Sequence, residues 1–293
     1  MDCCFIFGAP RSGTSFLLEA LSKLRPALGR AGQLVPVGVP HIAAHDVSPS
    51  VYNALATSIR QNIEGYFSSS PYHSRFQALE WWREAPTQLD RLYHVLRSGP
   101  RPRPNRFVYK EPFLSLCPEL MWDAIPEARL IYIYRDGRDV ANSLVSTYNV
   151  LTDKKLRHLE EAEMRFGRSY DERYVPSWVE WGRDQEFIES SPYVRAIWLW
   201  KTITSRCKTF FGELDDDSLN DILRLRYEAL VRSPRATGTR VLDFLGTGET
   251  RAFRRKLNTA RVSSIGKYKQ RERQEVRAGE RIAGKMLDGL GYT

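Results

Sequence analysis

Several features that would settle the class of this chain at once are scarce or missing. Cysteine is rare, with Cys3, Cys4, Cys117 and Cys207 the only four in 293 residues. None forms a Cys-x-x-Cys pair or stands at a zinc-type spacing from histidine, so a zinc centre is not indicated and a reduced, cytoplasmic compartment is expected. Long hydrophobic runs are missing too. The first one begins at Cys3 and is broken by Gly8, Pro10 and Arg11, far short of a signal-peptide core or a membrane span. There is no internal repeat and no low-complexity tail. Acidic charge is in the minority, 35 Asp and Glu against 44 Lys and Arg, for a net +9. That balance suits an anionic ligand, a nucleic acid or an acidic membrane surface, and charge alone does not choose among them. At 42% hydrophobic content the chain can bury one large core, and residues 1–293 are read as a single domain with inserted helices.

What is present is an alternation of strand and helix signals. Cys3 to Phe7 is a short apolar run stopped by Gly8, and Thr14 to Leu24 carries Phe16, Leu17, Ala20, Leu21 and Leu24 at helical spacing. The succession recurs as the strand Arg129 to Tyr134, the turn Arg135-Asp136-Gly137 and a helix from about Arg138 through Tyr148. Further strands are predicted at Arg106 to Tyr109 and Asp221 to Tyr227. Arg97 to Asn105 is a Pro-rich, basic loop between a Trp-rich helix and a strand. Alternation of this kind predicts an α/β fold whose mainly parallel sheet is covered on both faces. From about 148 to 211 the helical signal dominates, and this stretch is read as an acceptor-side insertion whose Trp178, Trp181, Trp198 and Trp200 fill a core.

The first loop reads Gly8-Ala9-Pro10-Arg11-Ser12-Gly13-Thr14-Ser15 between a strand and a helix. Backbone N–H groups and a helix N-terminus converge there, which favours an anion before any side chain is counted. A nucleoside triphosphatase would carry Gly-x-x-x-x-Gly-Lys-Ser/Thr, its Lys reaching the β- and γ-phosphates and its hydroxyl binding magnesium. Thr14 occupies the lysine position here, so the loop suits a single 5'-phosphate with an attached group and no metal. The loop resembles the 5'-phosphosulfate loop of sulfotransferases that use 3'-phosphoadenosine 5'-phosphosulfate (PAPS), especially the tyrosylprotein sulfotransferase-like branch. Lys110-Glu111-Pro112-Phe113 is similar to that branch's Lys-Asp-Pro-Phe, and Arg135 to Ser143 resembles the family's 3'-phosphate segment.

The resemblance implies a P-loop-containing three-layer α/β/α fold with a helical insertion, and PAPS as the donor with adenosine 3',5'-bisphosphate as its product. Pro10, Arg11, Ser12, Gly13, Thr14 and Ser15 would surround the 5'-phosphate, and Arg135 and Ser143 the 3'-phosphate. Arg135 could instead form a local ion pair with Asp136. Leu225 to Leu230 resembles the family's Tyr-Glu-x-Leu segment, which puts Tyr227 near the cofactor, with a satisfied core tyrosine as the competing reading. Ser263, Ser264 and Lys267 have the composition of a further anion-contacting loop.

Sulfuryl transfer demands in-line geometry and cations placed beforehand on peripheral and leaving oxygens. Lys110 and Arg11 are the candidates for that role, and no metal is required. The related branch carries a Glu about twenty residues after the loop where this chain has Gln33, and Gln cannot serve as a general base. His41, His45 and Asp46 are the nearby substitutes. The mismatch argues against a protein tyrosine as acceptor, and a hydroxyl or amine of a carbohydrate, glycolipid or other small molecule is expected, with no specific nucleic acid and no transmembrane segment. The rival readings are a small-molecule kinase on the same fold and a non-catalytic nucleic-acid or anion binder suggested by the basic runs Arg251 to Lys256 and Lys267 to Arg273.

Overall fold

A computed structural model describes residues 2–24, 29–30, 35, 38–45, 47–68, 106–161 and 167–292. The Trp-rich helix and Pro-rich loop expected before residue 106, together with Gln33 and Asp46, lie outside the described residues.

Five parallel strands form the central sheet in the order β2-β3-β1-β4-β7, from β1 (Cys3–Phe7), β2 (Gly29–Arg30), β3 (Phe107–Tyr109), β4 (Arg129–Tyr134) and β7 (Ile222–Arg226). A separate antiparallel pair joins β5 (Gly167–Tyr170) to β6 (Arg173–Pro176). The helices in chain order are α1 (Thr14–Leu21), α2 (Gly38–Ala43), α3 (Pro49–Ser68), α4 (Pro118–Ala124), α5 (Gly137–Tyr148), α6 (Asp153–Glu161), α7 (Asp184–Glu189) and α8 (Pro192–Glu213). They continue as α9 (Asp216–Leu219), α10 (Tyr227–Arg232), α11 (Pro234–Leu245), α12 (Arg251–Leu257) and α13 (Arg273–Gly289).

Side chains alternate across a strand, and β1 uses that period to feed two layers. Cys4 and Ile6 join Ile131, Ile133 and Leu225 against Leu17 and Leu21 of α1 and Val241 and Leu245 of α11. Cys3, Phe5 and Phe7 face the other way with Leu130 and Tyr132, against Ile63 of α3, Met121 of α4 and Phe211 of α8. A third cluster binds Ile197 and Trp198 of α8 to Leu144 of α5 and Ile282 of α13. The expected α/β architecture with a parallel sheet and flanking helices is therefore what forms.

Two details differ from the sequence reading. The first helix stops at Leu21, and Leu24 is buried from a tight turn in which its N–H donates to the Leu21 carbonyl. The stretch 148–211 is not helical throughout, because the β5–β6 hairpin interrupts it. Its tryptophans also divide: Trp198 and Trp200 are buried, while Trp181 stays 83% exposed.

Candidate functional site

The loops after β1, β4 and β7 open on one edge of the sheet. Parallel register fixes this, pairing Phe7 with Tyr132 and Tyr134 with Arg226. From β1 the chain goes to one side of the sheet, first to the edge strand β2 and then inward to β3, before crossing to β4 and β7 on the other side, and an open α/β sheet presents its ligand crevice where the order switches sides in this way. Within the first loop, the Ser12 N–H donates to the Ala9 carbonyl at 3.0 Å. Arg11 takes the left-handed conformation, with φ +72°. Gly13 has φ +100°, and a Cβ there would stand 2.5 Å from Cδ2 of Tyr227, so only glycine fits. Its side of the turn leaves the N-terminus of α1 without a side-chain cap, which keeps first-turn N–H groups available to an anion. The Ser12 hydroxyl is buried and, among the described residues, has no hydrogen-bond partner. Thr14 is buried, Pro10 half-buried and Ser15 exposed.

The second segment meets the first through two guanidinium groups. Arg135 is only 5% exposed. Its Nη1 donates to the Arg11 carbonyl at 3.0 Å and its Nη2 to the Ser264 carbonyl at 2.5 Å. The guanidinium carbon lies 4.5 Å from the Tyr227 ring centroid, and the Tyr227 and Ser264 hydroxyls are 2.9 Å apart. Nε of Arg135 is buried without a partner among the described residues. Arg11 in turn donates from Nε to Ser143 Oγ at 3.0 Å and from Nη1 to the Tyr148 hydroxyl at 3.1 Å. The fold thus brings Arg11, Arg135, Ser143, Tyr227 and Ser264 into one network. Ser263 and Lys267 are exposed and, among the described residues, make no hydrogen bond into it.

The local pair of Arg135 with Asp136 does not form. Asp136 accepts instead from Arg138 in a bidentate arrangement, at 3.0 Å from Nε and 2.9 Å from Nη2, while the carboxylate near Arg135 is Asp139 at 4.0 Å. Asp139 also accepts from the N–H groups of Gly266 at 2.6 Å and Tyr268 at 3.1 Å, which fastens the 262–268 segment over the first turn of α5. Tyr227 is not the satisfied core tyrosine of the competing reading: it is half-buried and its hydroxyl meets Ser264 inside the network.

Lys110 stands one residue past β3, the strand beside β1, and is half-buried. The next turn is held to the phosphate loop by Ser115, whose hydroxyl accepts from the Gly8 N–H at 2.9 Å. His41 lies on α2 with its ring centroid 5.0 Å from that of Phe113 in the same turn. Burial, helped by the neighbouring His45, lowers its pKa below the usual imidazole value. His45 is exposed.

Three contributors escaped the sequence reading: Ser115, Tyr148 and Glu228. Glu228 is buried and accepts from the Asp136 N–H at 3.1 Å and from the Tyr292 hydroxyl at 2.9 Å. Its place directly after Tyr227 was the available signal, since a carboxylate starting a helix at a strand end has backbone N–H groups within reach.

Among the described residues, no helix is long and apolar enough to cross a membrane. A comparison with curated proteins returned no match. Among solved structures, the sulfotransferase domain from the curacin biosynthetic pathway is similar at 16% identity, with 97% of each chain covered and a TM-score of 0.53. The sulfotransferase domain of the Synechococcus PCC 7002 olefin synthase shares 16% identity over 97% of this chain and 94% of that one, with a TM-score of 0.48. A sulfotransferase from Mycobacterium avium also shares 16% identity, over 100% of this chain and 77% of the other, with a TM-score of 0.48. The family description Sulfotransferase family matches residues 4–189, more than half the chain. That match takes in the phosphate loop, the Lys110 turn and the Arg135 segment, and the chain belongs to the sulfotransferase family of sulfuryl-transferring enzymes.

Proposed function

We propose that this enzyme uses PAPS as its donor and delivers the sulfuryl group in line to a hydroxyl or amine of a carbohydrate, glycolipid or other small-molecule acceptor, with residues 1–293 acting as one domain. The observation that supports this most is the joining of two anion-binding loops by Arg11 and Arg135, whose donors span the end of β1 and the start of α5. A nucleotide with separate 5' and 3' charges is the ligand such a pair suits. The buried hydroxyl of Ser12 and the buried Nε of Arg135, both unpaired among the described residues, are groups that phosphate oxygens would satisfy.

In this reading Ser12, Gly13, Thr14 and the α1 N-terminus hold the 5'-phosphate, while Arg135 and Ser143 hold the 3'-phosphate. Tyr227 and Ser264 close the cofactor's flank. PAPS supplies an activated sulfuryl group on a phosphate leaving group. Lys110 and Arg11 neutralise charge on the peripheral and bridging oxygens, which is stabilisation aimed at the transition state. His41 is favoured over His45 as the base because its half-buried ring sits beside Phe113, in the same turn that follows Lys110. A lowered pKa keeps that imidazole neutral, and therefore able to accept the acceptor's proton, at physiological pH.

Ligand-induced thermal stabilisation tests the donor assignment. Adenosine 3',5'-bisphosphate without magnesium should raise the melting temperature by several degrees at concentrations far above its Kd. ATP with magnesium should do much less. The opposite ranking would favour the kinase reading, and salt-sensitive binding of arbitrary duplexes with no response to the bisphosphate would favour a nucleic-acid binder.

A further inference from the structure

Beyond the two anion loops lies a cleft with a different chemistry. One cavity of about 700 Å³ runs along α8 and reaches the turn at residues 177–181. A second, of about 550 Å³, lies between α2 and α3. They share Ala44, His45, Glu119 and Arg206, which form a waist between two lobes. The larger lobe is lined by Leu116, the residue after the Ser115 that holds Gly8, so the cleft abuts the turn that follows Lys110.

The charge of this cleft runs against that of the chain. The protein carries +9, yet the cleft's ionic lining among the described residues is Glu119, Glu180 and Glu213 against Lys201 and Arg206, with His45 at the waist. Lys201 is engaged by Glu180 at 2.7 Å, and Arg206 donates to the Ala44 carbonyl at 3.2 Å. Three carboxylates against two cations leave a surplus of one negative charge, shared by Glu119 and Glu213. Burial pushes the Glu119 carboxyl above its usual range while Arg206 acts in the opposite sense, which marks a desolvated acceptor that gains from a cationic or hydroxyl donor.

At the mouth stands Trp181. Arg168 packs on its indole with the guanidinium carbon 4.3 Å from the ring, yet the residue remains 83% exposed. An indole held in place by a cation and left open to solvent is a platform for an apolar ring face. A sugar ring combines such a face of C–H groups with a rim of hydroxyls, and Ser205 and Thr209 add hydrogen-bonding partners inside the same lobe.

We infer that this two-lobed cleft is the acceptor-selecting region and takes an amine-bearing saccharide, with Trp181 stacking on a ring and Glu119 and Glu213 receiving ammonium and hydroxyl groups. The inference rests on the sulfuryl-transfer reading and names its substrate class. It also excludes polyanionic glycans, whose carboxylates would face the surplus acid.

Three disaccharides test it on protein saturated with adenosine 3',5'-bisphosphate: a β-1,4-linked glucosamine dimer, its neutral N-acetylated form, and a glucuronate-containing dimer. Indole fluorescence and saturation-transfer NMR read the binding. The amine form should bind best and the uronate form worst, with the amine about fivefold tighter than the neutral form, the size of effect expected for one partly screened charge pair. Trp181→Ala, a change at an exposed side chain, should weaken both the amine and neutral forms. Glu119→Gln should remove the preference for the amine while leaving the neutral form's affinity in place. Uronate binding as tightly as amine, no binding of any of the three sugars, or affinities unmoved by both substitutions would overturn the inference. Saturation with the bisphosphate is measured first in the same sample, so a failure there sinks the donor assignment instead.

Discussion

The proposed donor edge and the proposed acceptor cleft are built in opposite ways. At the donor edge Arg135, Asp136, Arg138 and Asp139 are all buried, and each draws partners from distant stretches of chain. Arg135 reaches Arg11 and Ser264, Asp136 receives its N–H partner in Glu228, Arg138 takes Glu280 and the Tyr292 carbonyl, and Asp139 holds Gly266 and Tyr268. In the cleft the charged residues are more exposed and some partners are local: Glu180 pairs with Arg183 three residues away, and with Lys201 on the adjoining helix. Buried charges must be matched or they cost several kcal/mol each. Long-range matching therefore makes the donor edge rigid and hard to alter piecemeal, whereas the cleft can change one side chain at a time.

That contrast can be broken by substitution. The largest effect is expected at Lys110, where Lys110→Ala should lower turnover on the order of 10²- to 10³-fold, the loss typical of one preorganised charge-stabilising donor. Affinity for adenosine 3',5'-bisphosphate should fall much less, as measured by calorimetry, and unchanged turnover at saturating acceptor would remove Lys110 from the mechanism. Next comes Arg135→Ala, which should weaken that ligand by roughly 10²-fold through lost charge-assisted hydrogen bonds. The loss should be smaller for a nucleotide lacking the 3'-phosphate. Equal losses for the two would show that Arg135 only braces the fold.

Smaller effects sharpen the comparison. Tyr148 is exposed, so Tyr148→Phe should leave the melting temperature unchanged while reducing kcat by about threefold, the worth of one exposed hydrogen bond to the Arg11 guanidinium. Tyr148→Ala also removes the ring that lies 5.1 Å from that guanidinium and should cost about threefold more. The finest distinction is read from pH. His41 must be neutral to accept a proton, and its pKa lies below the ordinary 6.5, so activity should hold at neutral pH and fall only as pH drops past that lowered value. His41→Ala should abolish this acid limb, and a limb that survives the substitution would transfer the role of base to another group.

How much of this was legible follows from the same physics. β1 and β4 were readable because apolar runs end at glycine or at a charged turn, and local sequence suffices for that. Thr14 in place of a loop lysine was likewise legible, as a change of residue type at a fixed spacing. Arg138 was not: its partners Glu280 and Tyr292 are 142 and 154 residues away, and no local pattern announces them. Nor was Tyr148, because a tyrosine at a helix end looks like surface until Arg11 is seen to fold onto it. The β5–β6 hairpin was hidden by the strong apolar helix α8 beside it, which dominated the pattern of the whole stretch. Glu119 carries no sequence signal of its own, being a first-turn acid of α4, and only the cleft around it gives it a meaning.

The contacts of Tyr292 carry a practical lesson for anyone handling this protein. Its hydroxyl donates to Glu228 and its carbonyl accepts from Arg138, so the stretch after α13 is clipped to the first turns of α10 and α5. A substitution such as Tyr292→Ala would remove the hydroxyl contact, loosen the carbonyl one and so tug on the very edge whose ligand affinity is being measured.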